Sequence, residues 1–65
     1  MLSKKERKTY FEYLGLGEYT EENILNVQKK YFTRKEDQDG KYGPDTDKLV
    51  VNLFRVKRQA PHFSV

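Results

Sequence analysis

Apolar residues recur at helical spacing in a first segment that begins close to the N-terminus. Ser3 followed by Glu6 fits the capping box, in which each side chain satisfies the backbone N–H of the other residue. The apolar positions that follow are Tyr10, Phe11, Tyr13 and Leu14. Gly15 then indicates the end of the helix, because glycine adopts a left-handed cap without steric cost. The pattern predicts a helix over residues 3–14.

A second segment has the same periodicity with a single polar exception. Thr20 is suited to an N-cap, and Glu21 and Glu22 follow it, where the helix dipole favours anions. One face of the segment then carries Ile24, Val27, Gln28 and Tyr31. Their spacing of i, i+3, i+4 and i+7 predicts a helix over residues 20–32, with a glutamine amide inside its apolar face.

A third segment follows residues 33–38, whose polar and charged composition predicts a loop. Pro44 suits the first position of a helix, because its missing N–H would have no partner there anyway. The apolar side of the segment consists of Leu49, Val50, Leu53 and Val56. Pro61 prevents the helix from continuing far. The pattern predicts a helix over residues 44–58.

These segments predict an all-α fold, a small three-helix bundle over residues 1–58, followed by a C-terminal tail or linker at 59–65. The chain of 65 residues has no cysteine, so it cannot form a disulfide or a Cys-His catalytic site, and its single histidine, His62, lies in the predicted tail, where we expect no Ser-His-Asp site. We therefore expect no enzymatic activity, no metal and no cofactor. No run of about 18 apolar residues is present, so we expect no membrane span.

Residues 39–46 combine two glycines, a proline and a threonine, which indicate a folded turn leading into the third helix. The residues to which we assign this structural role are Gln28, Asp39, Gly40, Gly43, Pro44 and Thr46. The two glycines indicate backbone angles that other residues resist, and Asp39 and Thr46 can bond nearby backbone N–H groups. An unpaired amide on an apolar face costs roughly 1–3 kcal/mol, so we expect Gln28 to bond the backbone of the turn. Direct contact of Gln28 with a ligand is the alternative.

The first helix begins with a cluster of cations that the helix dipole does not explain. The cluster consists of Lys4, Lys5, Arg7 and Lys8. Cations near the ends of the second and third helices are expected, whereas the dipole disfavours them at a helix start. The cluster is either a solvated terminal turn or a contact for a polyanion, such as a phosphate-rich wall polymer or nucleic acid. The net charge of +3 is mild.

Gln28 and the turn together resemble the peptidoglycan-binding-like domain, a three-helix module found beside bacterial and phage cell-wall hydrolases. The matching patterns are apolar-Gln-x-x-apolar at residues 27–31 and Asp-Gly-x-aromatic-Gly-Pro-x-Thr at 39–46. Residues 49–54 match the last helix of the family loosely, because the usual small residue, Phe and Gln are replaced by Leu49, Leu53 and Phe54. The resemblance covers about residues 24–54, and its matched residues mainly build the fold.

The resemblance implies a non-catalytic module that targets bacterial peptidoglycan or muropeptides, from a phage or as part of a cell-wall hydrolase. The basic start of the chain is not followed by the apolar segment of a signal peptide. We therefore expect a protein that stays in the cytoplasm until a phage holin releases it to act at the cell wall, with a piece of a larger exported protein as the alternative. The alternatives are a small phage protein that binds a host protein through the same fold, and a basic nucleic-acid-binding domain. Nucleic acid is less expected, because a helix-turn-helix needs a turn of about 3–4 residues. The predicted second and third helices are separated by the longer segment 33–43.

For a peptidoglycan ligand, we expect the binding surface where the turn meets the end of the second helix. The candidate contact residues are Tyr31, Arg34, Tyr42 and Asn52. Aromatic rings stack on sugars and a few polar groups orient them, and Arg34 can pair bidentately with a stem-peptide carboxylate. Tyr31 lies on the apolar face, so burial in the core is the alternative for Tyr31, and also for Tyr42.

Overall fold

The computed structural model of the chain describes residues 1–59. Helix α1 spans Lys4–Tyr13, α2 spans Glu21–Tyr31 and α3 spans Pro44–Gln59, and a short 3-10 helix spans Lys35–Asp37. This part of the chain contains no strand, so the prediction of an all-α fold with three helices is confirmed. None of the helices described combines the length and the apolar character needed to cross a bilayer.

The starts of α1 and α2 are held by the caps that the sequence predicts. The Ser3 N–H donates to Glu6 Oε1 over 2.9 Å, and the Glu6 N–H donates to Ser3 Oγ over 3.2 Å. Thr20 Oγ1 accepts a hydrogen bond from the Asn23 N–H at 3.2 Å. Gly15, just after the C-cap of α1, has a φ of 74°. Because the capping residues lie outside the helices themselves, both helices are shorter than predicted by one residue at each end.

A small core joins the three helices. It consists of Phe11 from α1, Ile24 and Val27 from α2, and Val50 from α3. The half-buried apolar side chains packed around it are Leu2, Tyr10, Leu14, Leu16, Tyr19, Tyr42 and Leu49. Because so few apolar side chains are buried among the described residues, each one carries a large share of the stability, and Phe11 is the largest of the fully buried side chains.

Helices α1 and α3 lie side by side and run in the same direction. At their starts, the Leu2 N–H donates to Asp47 Oδ1 over 3.0 Å. At the end of α1, Lys57 Nζ from the last turn of α3 donates to the Tyr13 carbonyl over 2.6 Å. This arrangement brings the first turn of α1 next to residues 39–46, which lead into α3.

Three side chains that helical spacing places on apolar faces lie at the surface instead. Tyr13 is 46% exposed, Tyr31 is 42% exposed and Val56 is 64% exposed. Each lies in the last turn of its helix, beyond the residues that the helix contributes to the core. The alternative by which Tyr31 is a core residue, and the expectation that Val56 belongs to the packed side of α3, are therefore wrong.

The segment predicted as a loop, residues 33–38, contains the short 3-10 helix. The Asp37 N–H donates to the Arg34 carbonyl over 3.1 Å, and the Gln38 N–H donates to the Lys35 carbonyl over 3.0 Å. The Arg34 guanidinium also pairs with the Asp37 carboxylate across 3.1 Å. Such i to i+3 bonds satisfy the backbone over a short polar stretch that shows no apolar periodicity.

Helix α3 extends one residue beyond the predicted range of 44–58. Gln59, the first residue of the predicted tail at 59–65, is the last residue of α3. The rest of that tail lies outside the residues that the structure describes.

Replacing Phe11 by alanine is expected to lower the free energy of unfolding by about 3–5 kcal/mol, enough to unfold so small a domain. The reason is that Phe11 is fully buried among side chains from all three helices. Tyr13→Ala, on the same helix but largely exposed, is the matched control and is expected to cost much less. Urea unfolding followed by helical circular dichroism measures both. A Phe11→Ala protein that unfolds at the wild-type midpoint would show that Phe11 is not the centre of the core.

Candidate functional site

The Gln28 side chain is the buried polar centre of the region between α2 and α3. It is 1% exposed, and both of its polar atoms are paired. Its Oε1 accepts from the Gly40 N–H at 2.8 Å. Its Nε2 donates to the Lys41 carbonyl at 2.9 Å and to Thr46 Oγ1 at 3.0 Å, with a longer contact of 3.4 Å to Asp39 Oδ1. The expected bonds between Gln28 and the backbone of the turn are therefore present.

The backbone of the turn is shaped for a close approach to α2. Gly40 has a φ of 74°, and a Cβ added there would lie 3.4 Å from the Glu21 carbonyl oxygen. A side chain at residue 40 would therefore be strained by its backbone angle and crowded by α2. Asp39 Oδ1 accepts from the Lys41 N–H at 2.9 Å, which is the Asx-type bond that the sequence predicts.

Two residues of the turn act differently from the sequence expectation. Gly43 does not adopt a positive φ, and a Cβ there would meet nothing within 4 Å. Its carbonyl instead accepts the first helical bond of α3, from the Asp47 N–H at 2.9 Å. Thr46 does not cap the helix start, because its hydroxyl is buried against the Gln28 amide. Pro44 is the first residue of α3, as predicted.

Tyr42 connects the turn to the start of α3 and to the N-terminal segment. Its hydroxyl donates to Asp47 Oδ1 over 2.9 Å, and the same oxygen accepts from the Leu2 N–H. Burial of the ring and this hydrogen bond to a carboxylate raise the pKa of the Tyr42 hydroxyl well above its ordinary value. Tyr42 therefore remains a neutral donor at physiological pH, and its hydroxyl is committed to holding the fold.

Aromatic side chains form one wall beside Tyr42. The Tyr19 ring meets the Tyr42 ring edge to face at a centroid distance of 5.9 Å, and it meets the Phe11 ring in the same way at 5.6 Å. The Arg7 guanidinium lies over the Tyr42 ring, 4.7 Å from its centroid. Arg7 is therefore separate in role from the three other cations of its cluster, which are exposed.

Two clefts flank the turn, and Lys41 lines both of them. The first has a volume of about 140 Å³ and a largely acidic rim, formed by Glu36, Asp37, Asp39 and Asp45. Despite these carboxylates, no three His, Cys, Asp or Glu side chains within residues 1–59 converge as a metal site. The floor of this cleft includes Gln28 and Thr46, whose polar atoms are already bonded to each other.

The second cleft is larger, about 310 Å³, and three different parts of the chain form it. Arg7 comes from α1, Tyr19 and Glu21 come from the start of α2, and Lys41 and Tyr42 come from the turn. Its walls therefore combine aromatic rings with charges of both signs. This combination suits a small ligand that has both an apolar part and charged groups.

One of the four predicted contact residues lines one of these two clefts. Tyr42 lines the second cleft, but Tyr31, Arg34 and Asn52 line neither of the two clefts. Arg34 is exposed, and its guanidinium is paired with Asp37 and, at 3.5 Å, with Glu36. Tyr31 and Asn52 are exposed on α2 and α3.

Sequence reasoning missed the charged residues of the second cleft. Arg7 precedes Phe11 by four residues, so helical spacing places it on the buried face of α1, and this signal was available. Glu21 was assigned only to the helix dipole. Outside the cleft, sequence reasoning also missed Asp47, which accepts bonds from Tyr42, five positions away, and from Leu2, 45 positions away, because no local pattern indicates the more distant contact.

Comparison with models of known protein families, with curated proteins and with solved structures found no match. Inference about function therefore rests on the residues of this chain and their geometry.

Gln28→Leu is expected to lower the free energy of unfolding by roughly 1–3 kcal/mol, because it leaves the Gly40 N–H, the Lys41 carbonyl and the Thr46 hydroxyl without their partner. Gln38→Leu is the matched control. Gln38 donates one bond, to the Phe32 carbonyl at 2.7 Å, from a half-exposed position. Urea unfolding of both variants measures the difference. A Gln28→Leu protein no less stable than Gln38→Leu would contradict this account of Gln28.

The wild-type protein is expected to lose stability as the pH rises above about 10, and Tyr42→Phe is expected to lose less. Because the pKa of Tyr42 is raised on folding, the contribution of Tyr42 to the free energy of unfolding is fully present below the ordinary tyrosine pKa. The contribution is lost as the pH rises through the higher folded-state pKa. Urea midpoints at about pH 8 and about pH 11 measure the effect. An equal fall in both proteins would show that Tyr42 is not the titrating group.

Proposed function

We propose that this chain is a non-catalytic binding module for bacterial peptidoglycan, of the peptidoglycan-binding-like type. The observation that carries the proposal is the pairing of Gln28 with residues 39–46. The residues through which the sequence resembles that family form one hydrogen-bonded unit, in which Gln28 bonds Gly40, Lys41 and Thr46. The three-helix arrangement around this unit supports the same proposal.

The surroundings of the turn support a role in binding. The turn is rigidly held from inside by Gln28, while Asp39 and Lys41 remain exposed to solvent on its outer side. A rigid turn with clefts on either side presents polar side chains at fixed positions, which lowers the entropic cost of binding. Peptidoglycan offers sugar rings for aromatic contact and stem peptides with charged ends. Aromatic rings and charged side chains that match these groups both line the second cleft beside this turn.

The proposed contact surface is centred on Tyr42, the one predicted contact residue that lines a cleft. Tyr31 and Asn52 are proposed as outlying contacts that an extended glycan strand reaches. Arg34 contributes a carboxylate contact only after its guanidinium leaves Asp37, and such exposed ion pairs are worth about 0–1 kcal/mol. A module of this kind serves to hold a fused or associated cell-wall hydrolase on its substrate.

Retention on purified sacculi tests the proposal. We expect the protein to sediment with sacculi whose secondary wall polymers have been removed, and Tyr42→Leu to bind at least about fivefold more weakly. Tyr10→Leu is the matched control, because Tyr10 is also half-buried but lines neither cleft. Circular dichroism verifies that both variants are folded. No retention of the wild type on stripped sacculi would overturn the proposal, and retention only on unstripped sacculi would indicate a polyanion ligand.

One observation favours nucleic acid as a second candidate ligand. Residues 48–59 carry Lys48, Arg55, Lys57 and Arg58 without any acidic residue. In the same region, the Arg58 guanidinium lies over the Phe54 ring, 5.7 Å from its centroid. Cations beside aromatic rings are typical of surfaces that bind single strands. Binding to a single-stranded oligonucleotide at two salt concentrations tests this candidate, because phosphate contacts weaken steeply with salt.

A further inference from the structure

The second cleft carries opposite charges that do not neutralise one another. Arg7 and Lys41 contribute positive charge to its lining, and Glu21 contributes a carboxylate. Among the described residues, the ion pairs involve only Arg34, so none of these three groups is paired. A cleft that holds both signs of charge without internal pairing leaves them available to a ligand that carries both signs.

Arg7 is held in place without using the whole guanidinium. Its Nε donates to the Leu2 carbonyl over 3.1 Å, and the group lies over the Tyr42 ring. Within residues 1–59, this Nε bond is the one side-chain hydrogen bond that Arg7 makes. The terminal nitrogens are the part of a guanidinium that binds a carboxylate bidentately. Because the stem of the side chain is already ordered, such a contact costs little additional entropy.

The opposite charge lies at the start of α2. Glu21 is the first residue of this helix, and its neighbour Thr20 also lines the cleft. The rings of Tyr19 and Tyr42 contribute apolar wall to the same cleft. The volume of about 310 Å³ is at the small end of ligand pockets and suits one or two amino-acid residues.

We propose that this cleft binds a peptide segment that carries both a carboxylate and an ammonium group. The carboxylate lies between Arg7 and Lys41, the ammonium lies at Glu21, and the aliphatic part lies against the tyrosine rings. The source of the peptide rests on the proposed function, under which it is the stem peptide of peptidoglycan. The proposal assigns the charged contacts to residues outside the set that the sequence pattern suggested.

Titration of the full chain with a synthetic stem peptide, L-alanyl-γ-D-glutamyl-L-lysyl-D-alanine, tests the cleft directly. We expect NMR shift changes at Arg7, Glu21, Lys41 and Tyr42. The same peptide with its amines acetylated and its carboxyl groups amidated is the ligand control, and we expect it to produce no such changes. Equal binding of the blocked peptide would overturn the assignment of charge-based recognition.

Two pairs of variants distinguish the effect of the cleft residues on peptide binding from the effect of general surface charge. Glu21→Gln is matched by Glu22→Gln, because both residues are exposed in the first turn of α2 but only Glu21 lines the cleft. Lys41→Gln is matched by Lys29→Gln, an exposed lysine in α2 that lines neither cleft. Each cleft variant is expected to weaken peptide binding by about fivefold, while its control binds like the wild type. Equal effects within a pair would overturn the site.

The outcomes distinguish this proposal from the proposed function. Retention on sacculi without peptide-induced shifts at the cleft would overturn the cleft assignment and leave peptidoglycan binding in place. Peptide binding at the cleft without retention on sacculi would support the charge recognition and overturn the cell-wall function. Failure of both measurements would overturn both.

Discussion

A glutamine amide on the apolar face of α2 is the constraint on which the rest of this structure depends. The Gln28 side chain has one acceptor oxygen and two donor hydrogens. Leaving these groups unpaired away from water destabilises the fold by more than their hydrogen bonds stabilise it. The chain satisfies them with the Gly40 N–H, the Lys41 carbonyl and the Thr46 hydroxyl. The path of the turn, its close approach to α2 and the position of the α3 start all follow from this set of bonds.

A second set of contacts extends this rigidity to the N-terminal segment. Asp47 accepts from both the Leu2 N–H and the Tyr42 hydroxyl, and Arg7 lies over the Tyr42 ring. The turn is therefore connected to α1 as well as to α2 and α3. The residues of the Gln28 and turn motif are largely used for the fold, so the charged ligand contacts that we propose come from side chains that the motif does not specify, such as Lys41.

Local signals in the sequence predict most of the fold, because capping and periodicity act over a few residues. The caps at Ser3 and Thr20 give the starts of α1 and α2, and a polar residue inside an apolar face identifies Gln28 as the partner of the turn. Periodicity gives the face of a helix but not how far its neighbour covers that face, so the exposure of Tyr31 and Val56 is not predictable from spacing.

The second cleft is less accessible to sequence reasoning, since three separate parts of the chain form it. Arg7 belongs to a basic cluster for which the sequence leaves open a solvated turn or a polyanion contact, and its contact with Tyr42 depends on how α1 packs beside the turn. Glu21 is explained equally well as a residue that favours a helix start. Such charged residues can be recognised as parts of one cleft only when the fold places them together.

Hydrogen exchange at two adjacent amides tests the central claim about Gln28 most directly. The Gly40 N–H donates to the buried Gln28 side chain, whereas the Lys41 N–H donates to Asp39 in an exposed contact. The account predicts that Gly40 exchanges only on global unfolding, as slowly as the amide of the core residue Val50, while Lys41 exchanges much faster. Exchange of Gly40 at the rate of Lys41 would contradict the claim that the glutamine amide holds the turn.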